Sequence, residues 1–279
     1  MESVVSYGRI PISFLNAAKD RGLNRDVVMG FLDSAPIGWL DGTSEADLIE
    51  DLVLVTPELD AAAMRVRVRE VGADWELSIV TTDRSGVLAT SCRILAESGL
   101  SISGARVASW TDRFVALQRF IVNPLVMPLS GEPDWPTVTL NLRAALLATP
   151  ATQPLGANTN TLSLLPDGWE LELLEHLTFG RFAVRFIAPD AAGLLAEITH
   201  FLADLGADVQ SASVRSEDRV AIDDFVLACG TPSASEHLRS LAKLGSTKPG
   251  SRTYWSEWSI EGSTHKFTVP VGPIVGTWP

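Results

Sequence analysis

The sequence is poor in the residues that most often carry chemistry or mark secretion. It has 279 residues but only two cysteines and four histidines. Cys92 and Cys229 make neither a disulfide framework nor a zinc-binding pattern, and we expect both to be small, buried apolar side chains. The sequence therefore predicts no metal and no cofactor.

The chain also lacks long apolar runs and an excess of positive charge. No stretch approaches the ~18 apolar residues of a membrane span, and the N-terminus lacks the pattern of a secretory signal. Lys and Arg number 22 against 34 Asp and Glu, a net charge of −12. Nucleic acid and anionic membranes repel such a chain. We therefore expect a cytoplasmic protein that binds neither.

No arrangement typical of catalysis stands out. The four histidines are scattered, and no glycine-rich phosphate loop is present. Asp223 and Asp224 are adjacent on a predicted strand, so their side chains point to opposite faces and cannot readily share an ion. We predict that the protein is not an enzyme. The alternative, an active site within residues 1–70, has no His, no Cys and no arranged acid pair to support it.

What the chain does contain is an internal repeat. Residues 83–107 align with residues 190–214 at a spacing of 107, which matches Asp83 with Asp190 and Gly86 with Gly193. The spacing falls to 105 beyond a turn. Repeated units tolerate a length change at a turn because the strands on either side are undisturbed.

Each copy predicts the same elements. A strand at residues 75–80 or 182–188 leads through the Asp-x-x-Gly turn into an amphipathic helix, followed by two strands, a second helix and a closing strand near 169–174 or 254–260. The fold class is α+β, with two ferredoxin-like βαββαβ units whose antiparallel sheets carry helices on one face. We expect the partner unit or a second chain to cover the other face.

The predicted organisation has four parts. They are a helical N-terminal segment at residues 1–63, a first unit at 64–174, a second unit at 175–262, and a tail at 263–279 that can add an edge strand. The N-terminal segment contains two predicted helices, residues 24–32 and 44–54. A strand and a turn precede the first strand of each unit.

The Asp-x-x-Gly turn has two interpretations from its residues alone. Asp can cap the helix while Gly allows close packing. Alternatively, the N–H groups at the helix start can hold a ligand's carboxylate.

The repeated stretches resemble ACT domains, small ligand-sensing modules of amino-acid metabolism. The resemblance is carried by DRSGVLATSCRILAESGLSISGARV and by DAAGLLAEITHFLADLGADVQSASV, the second leading into RVAIDDFVLA. They are similar in particular to the C-terminal ACT pair of bacterial PII uridylyltransferases. The nucleotidyltransferase pattern of those enzymes is absent, since no Asp-x-Asp follows Gly42-Thr43-Ser44.

The resemblance implies an amino-acid-binding regulatory sensor of nitrogen metabolism, with glutamine as the first ligand to test. It implies ligand sites between paired units, in one chain or a homodimer, and an effector protein that receives the signal. The implied ligand-binding residues of the first copy are Asp83, Arg84, Ser85, Gly86, Val87, Leu88, Ile102, Ser103 and Ala105. Those of the second are Asp190, Ala191, Ala192, Gly193, Leu194, Leu195, Val209, Ser211 and Ala212.

The second turn departs from the family pattern, because Ala191-Ala192 stands where the family has Arg-Pro. In the first turn Ser85 replaces the Pro. These departures leave an alternative open, in which the units are a ligand-free scaffold for dimerisation or for binding a partner protein.

Overall fold

The computed structural model describes residues 11–36, 38–40, 43–56, 59–60, 63–126, 131–148, 169–178 and 180–245. The helices in these ranges are α1 (Ile12–Asp20), α2 (Arg25–Asp33), α3 (Glu45–Val55), α4 (Val87–Glu97), α5 (Trp135–Leu147), α6 (Leu194–Asp204) and α7 (Pro232–Gly245). The strands are β1 (Met64–Val71), β2 (Asp74–Thr82), β3 (Leu100–Trp110), β4 (Val115–Pro124), β5 (Glu170–Thr178), β6 (Arg181–Pro189), β7 (Ala207–Glu217) and β8 (Val220–Cys229). No helix in these ranges is long and apolar enough to cross a membrane.

The strands form one antiparallel sheet in the order β1-β2-β4-β3-β7-β8-β6-β5. Its first half (residues 64–147) and second half (residues 170–245) contain the same elements in the same order. They join where β3 pairs with β7, from Gly104 opposite Arg215 to Ala108 opposite Ser211. We call this junction the seam. Helices α4 and α6 pack against each other across it, so the halves pair within one chain.

The predicted closing strand of the first unit is wrong. Residues 170–178 form β5, which pairs with β6 of the second half, and the predicted boundary after residue 174 falls inside this strand. In the first half β1 pairs with β2 at the sheet edge, the place that a closing strand takes in a βαββαβ unit. Each half is therefore ββαββα.

A hairpin explains why the edge strand comes first. Val71 pairs with Asp74, so only Gly72 and Ala73 connect β1 to β2. Gly72 has a φ of 66°, the left-handed conformation that tight hairpin turns require. A two-residue loop leaves little chain to order when β1 pairs with β2. The strand predicted near residues 254–260 and the tail at 263–279 lie outside the described residues.

The main core lies between the sheet and the helices α4 to α7. Leu95, Phe120, Phe186, Leu202 and Phe225 are among its buried side chains. Phe186 packs edge-on against Phe225, with ring centroids 5.7 Å apart. Most strand residues on this inner face are apolar, since side chains alternate between the two faces of a sheet.

Helices α1 to α3 cover the opposite, outer face of the first half. Trp110 is fully buried there, and its indole N–H donates to the carbonyl of Phe31 at 3.0 Å. The rings of Phe31 and Trp39 meet it edge-on. The expectation that a partner unit or second chain covers this face is wrong for the first half, because the chain's own N-terminal helices do so. The two predicted N-terminal helices correspond to α2 and α3, whereas α1 was not predicted.

Buried ion pairs occur on the outer face of both halves. In the first, Asp51 of α3 contacts Arg119 of β4 at 2.6 Å and accepts from the indole of Trp39 at 2.9 Å. In the second, Arg185 of β6 donates to both oxygens of Asp224 of β8, at 2.6 and 3.0 Å. Since buried charges require partners, each contact fixes neighbouring elements in register.

Candidate functional site

The two Asp-x-x-Gly turns have the same backbone geometry. Gly86 and Gly193 precede α4 and α6 with φ values of 78° and 85°. These left-handed conformations disfavour any residue with a Cβ. The N–H groups of Asp83 and Asp190 donate to the carbonyls of Phe114 and Arg219, at 2.9 and 2.8 Å. Each turn is thus tied to the hairpin that joins the next two strands.

The aspartates do not cap the helices, so that interpretation is wrong. The helix caps are the glycines, and neither helix receives a side-chain cap bond. Asp83 instead accepts from the hydroxyl of Ser109 on β3 at 3.1 Å, and Asp190 accepts from Ser216 on β7. These bonds hold each carboxylate beside the helix start.

Both helix starts leave backbone donors without intrahelical acceptors. The first i→i−4 bond of α4 runs from Thr90 to Gly86 at 2.9 Å, and that of α6 from Glu197 to Gly193 at 3.1 Å. The N–H groups of Leu88 and Leu195 precede these bonds. Free N–H groups and the helix dipole attract an anion, such as a ligand's carboxylate.

Two clefts lie at the seam, one at each turn. The first cleft combines the Asp83 turn with Thr199, Ala203 and Asp208 of the other half. The second combines the Asp190 turn with Cys92, Ala96 and Ser103. Thr199 and Ala203 align with Cys92 and Ala96 at the 107-residue spacing. The clefts are therefore related by the approximate twofold symmetry of the repeat.

The clefts are narrow. Counted with their open mouths they hold about 360 and 400 Å³, but the cavity volume inside each is about 20 Å³. That is room for about one water molecule. An amino acid can place only a terminal group inside unless the turn moves outward.

Most of the predicted site residues line the clefts. The first cleft takes Asp83, Arg84, Gly86, Val87, Leu88 and Val209, and the second takes Asp190, Ala191, Gly193, Leu194, Leu195, Ile102 and Ser103. Five others do not line them, namely Ser85, Ala105, Ala192, Ser211 and Ala212. Ser85 and Ala192 are exposed at the turn tips, whereas Ala105 and Ala212 belong to the core. Ser211 is buried and opposite Ala108, on the outer face.

Seven polar cleft residues were not among the predicted site residues. They are Ser109, Gln118, Thr199, Asp208, Arg215, Ser216 and Asp223. The repeat held a signal for two of them, because Gln118 aligns with Asp223 at the 105-residue spacing. Neighbouring Asp223 and Asp224 do point to opposite faces, as predicted, since Asp223 lines the second cleft while Asp224 binds Arg185.

Burial and like charge raise the pKa values of cleft carboxyls. The pKa of Asp83 is raised by burial, against the hydrogen bond from Ser109. Burial and the nearby charge of Asp83 raise the pKa of Asp208 to about 6. In the second cleft, burial and the charges of Asp224 and Asp190 raise the pKa of Asp223 to about 7. A ligand's ammonium would stabilise the ionised carboxylates.

Arg84 lines the first cleft, but its guanidinium is engaged elsewhere. It donates to the carbonyls of Leu146 and Ala148 at the C-terminal end of α5, where the helix dipole favours a positive charge. Ala191 replaces it in the second half. The absence of this arginine from the second turn therefore removes a contact to the second helix of that half. It does not remove a guanidinium that points into the cleft.

The described residues contain no arrangement suited to metal binding or to a reactive cysteine. No three His, Cys, Asp or Glu side chains of this part group closely enough to hold an ion. Both cysteines are free. Complete burial raises the pKa of the Cys92 thiol, so it remains a neutral thiol against the second cleft.

A protein-family model matches part of the chain. The family model of the ACT domain matches residues 182–246, which begin in β6 and run past α7. No curated protein matches the chain. ACT domains are modules of regulatory small-molecule binding, commonly of amino acids. Residues 182–246 are therefore similar to a module of this kind.

Proposed function

We propose that the chain is a non-enzymatic regulatory sensor that binds a free amino acid in the clefts between two paired ACT units. The observation that carries the proposal is the symmetry of the clefts. Each brings a carboxylate, a helix start with free N–H groups and a strand of the other half to one place. Such a site complements the ammonium and the carboxylate of an amino acid.

The proposal includes the first half because of the internal repeat. It has the same element order, the same left-handed glycine and the same Asp–Ser hydrogen bond as the half that the family model matches. Binding would act on the seam, because the ligand would contact both halves. A ligand shifts such a packing equilibrium only by its differential affinity for the two arrangements. An effector protein would then receive the change.

Glutamine is the first ligand to test, on the resemblance to the ACT pair of PII uridylyltransferases. Isothermal titration calorimetry against the twenty amino acids, pooled and then separated, tests the proposal. We expect binding at micromolar to millimolar affinity, with one or two ligands per chain. Light scattering with and without ligand would show whether the chain forms a homodimer.

A matched pair of variants tests whether the measured heat of binding comes from the clefts. Asp83→Asn with Asp190→Asn keeps an acceptor for each serine but removes the charge opposite the ammonium, so we expect at least a tenfold loss of affinity. Asp112→Asn removes an exposed carboxylate outside both clefts and should leave binding unchanged.

The ligand-free scaffold is a second candidate, favoured by the narrowness of the clefts. Absence of heat with all twenty amino acids, from protein shown to be folded, would contradict the sensor. It would favour a scaffold whose halves or chains bind a partner protein.

A further inference from the structure

The two clefts differ in charge at a buried position on equivalent strands. Gln118 of β4 lines the first cleft and Asp223 of β8 lines the second. Each faces the helix layer, because Ala116 and Phe120 beside Gln118, and Ala221 and Phe225 beside Asp223, belong to the main core. The same place in the repeat thus holds a neutral amide in one cleft and a carboxyl in the other.

Both side chains have hydrogen-bonding capacity that the protein does not use. Gln118 is 0% exposed and neither its Oε1 nor its Nε2 has a partner, while Asp223 is 1% exposed and its Oδ1 has none. Buried polar groups are nearly always hydrogen-bonded, and the exceptions often have a functional reason. A ligand in each cleft would supply these two groups, at equivalent places of the repeat, with hydrogen-bond partners.

The chemistry of the two groups calls for different ligands. A carboxamide offers both donors and an acceptor, so a second carboxamide can satisfy both with paired hydrogen bonds. A carboxylate only accepts, and an ammonium or guanidinium is its strongest partner. Because each cavity has room for about one water molecule, the end of a ligand's side chain would reach this position only when the turn moves outward.

We propose that the two clefts select different amino acids: the first selects a side chain ending in a carboxamide that reaches Gln118, and the second a cationic side chain that reaches Asp223. The inference rests on the proposed function, since the turns would hold the common ammonium and carboxylate in both clefts.

The charges around Asp223 favour a cation. Asp190 contributes a second carboxylate from the turn, and Cys92 contributes a neutral thiol from α4. Arg215 of β7 lines the cleft, but its guanidinium donates to Asp224 and Glu217. The residues of α6 that line the cleft are apolar.

Two further charges lie near Asp223 but face away from the cleft. Asp224 is adjacent on β8, and Arg185 of β6 is bonded to it on the outer face. Arg215 offsets part of the effect of these carboxylates on Asp223, and a cationic side chain in the second cleft would neutralise more of the negative charge.

The first test is a competition titration on the unmodified protein at pH 8. Glutamine is added to saturation, arginine is then titrated, and the order is reversed in a second run. We expect each ligand to bind once per chain with unchanged affinity in the presence of the other. Competition for a single cleft, or failure of arginine and lysine to bind where glutamine does, would overturn the selectivity and leave the sensor intact. If no amino acid binds, the proposed function itself fails.

Two nearly isosteric variants assign the ligands to the clefts. Asp223→Asn removes the charge and should weaken arginine at least tenfold, leaving glutamine within twofold. Gln118→Met removes the amide and should do the reverse. Glu197→Gln, at an exposed residue of α6, controls for a general loss of negative charge and should change neither. Equal effects of one variant on both ligands would contradict the assignment.

The pH dependence gives an independent readout. The pKa of Asp223, raised to about 7 by burial and by Asp224 and Asp190, predicts that arginine affinity falls by about tenfold per pH unit below neutrality. Asp208 of the first cleft, with a pKa of about 6, would affect glutamine only at lower pH. A pH dependence of arginine binding that persists in Asp223→Asn would contradict the role of this carboxyl.

Discussion

The two halves of the sheet share their inner face and differ on their outer face. The inner faces carry core residues at matching positions, such as Phe120 and Phe225. On the outer face Trp110 is buried beneath the N-terminal helices, whereas Glu217 at the equivalent place is exposed. The helix-facing surface and the turns retain the repeat because both halves need the same packing there. The outer face differs because only the first half carries α1 to α3.

A similar contrast separates the clefts. Their backbones match in the left-handed glycine, the bond from the aspartate N–H and the Asp–Ser contact. Their inner walls differ at Gln118 and Asp223. The repeat therefore preserves the backbone of both clefts, whereas a buried polar side chain on their inner walls differs.

The largest expected effect on stability comes from a substitution on the outer face. Trp110→Ala should reduce the free energy of unfolding by about 4–5 kcal/mol, because it leaves a large cavity and an unsatisfied carbonyl at Phe31. Glu217→Ala, at the equivalent exposed place, should change it by less than about 0.5 kcal/mol. Urea denaturation of both variants measures the difference. Similar losses would show that the outer faces are less different than the packing indicates.

The second largest expected effect on stability comes from the buried ion pair of the second half. Asp224→Ala leaves Arg185 buried without its carboxylate and should cost about 3–4 kcal/mol. Replacing both, Arg185→Met with Asp224→Leu, should restore much of the loss, since apolar residues can replace a buried pair. A double variant as unstable as Asp224→Ala, by the same denaturation, would show that the charges themselves are required.

Stability should fall as pH rises through neutrality, because of the second cleft. The pKa of Asp223 is about 7 in the folded chain against an ordinary 3.8, so the folded state binds the proton more tightly than the unfolded state. The free energy of unfolding should therefore be highest below pH ~4 and reach its lower value above pH ~7. The decrease is at most about 4 kcal/mol, and about 2 kcal/mol once the folded structure relaxes around the charge.

The matched variant isolates this carboxyl. Asp223→Asn should be more stable than the unmodified protein at pH 8 and similar to it at pH 4. Thermal melts across this range measure the difference between the two proteins. A constant difference at every pH would contradict the raised pKa.

The smallest effect concerns the turns, where the halves should behave alike. Gly86→Ala and Gly193→Ala should each cost about 1–2 kcal/mol from the left-handed backbone. Steric clash adds nothing, because a Cβ at either glycine meets no atom within 4 Å. Thermal melts measure both variants, and a loss at only one turn would indicate that the turns are not equivalent.

Much of the architecture could be predicted from the sequence. Apolar periodicity and the repeat gave the helices near α4 to α7 and the strands β2 to β4 and β6 to β8 within a few residues. The strand before each unit was also recognised. For β5 the partner was predicted wrongly: it was assigned to the first half as a closing strand, but it forms a hairpin with β6. Periodicity indicates that a strand is present and not which strand it pairs with.

The candidate site was predicted in part for a related reason. The turn residues carry a local signal, Asp-x-x-Gly, and most of them line the clefts. Gln118, Asp208 and Asp223 come to the clefts from other strands or the other half. The repeat matches Gln118 with Asp223, but it does not show that either residue faces a cleft. Ala105 and Ala212 were predicted from position, but they are core residues that line neither cleft.

By itself the sequence determined the local conformations and the repeat, because hydrophobic periodicity and glycine at left-handed turns act within a few residues of the chain. The tertiary structure alone decided which edges meet. The seam between β3 and β7, the burial of Trp110 under α1 to α3, and the raised pKa values of Asp208 and Asp223 all arise from contacts between distant segments. Burial and Coulomb interactions depend on distance in space, so the chemistry of the clefts arises only when the halves are joined.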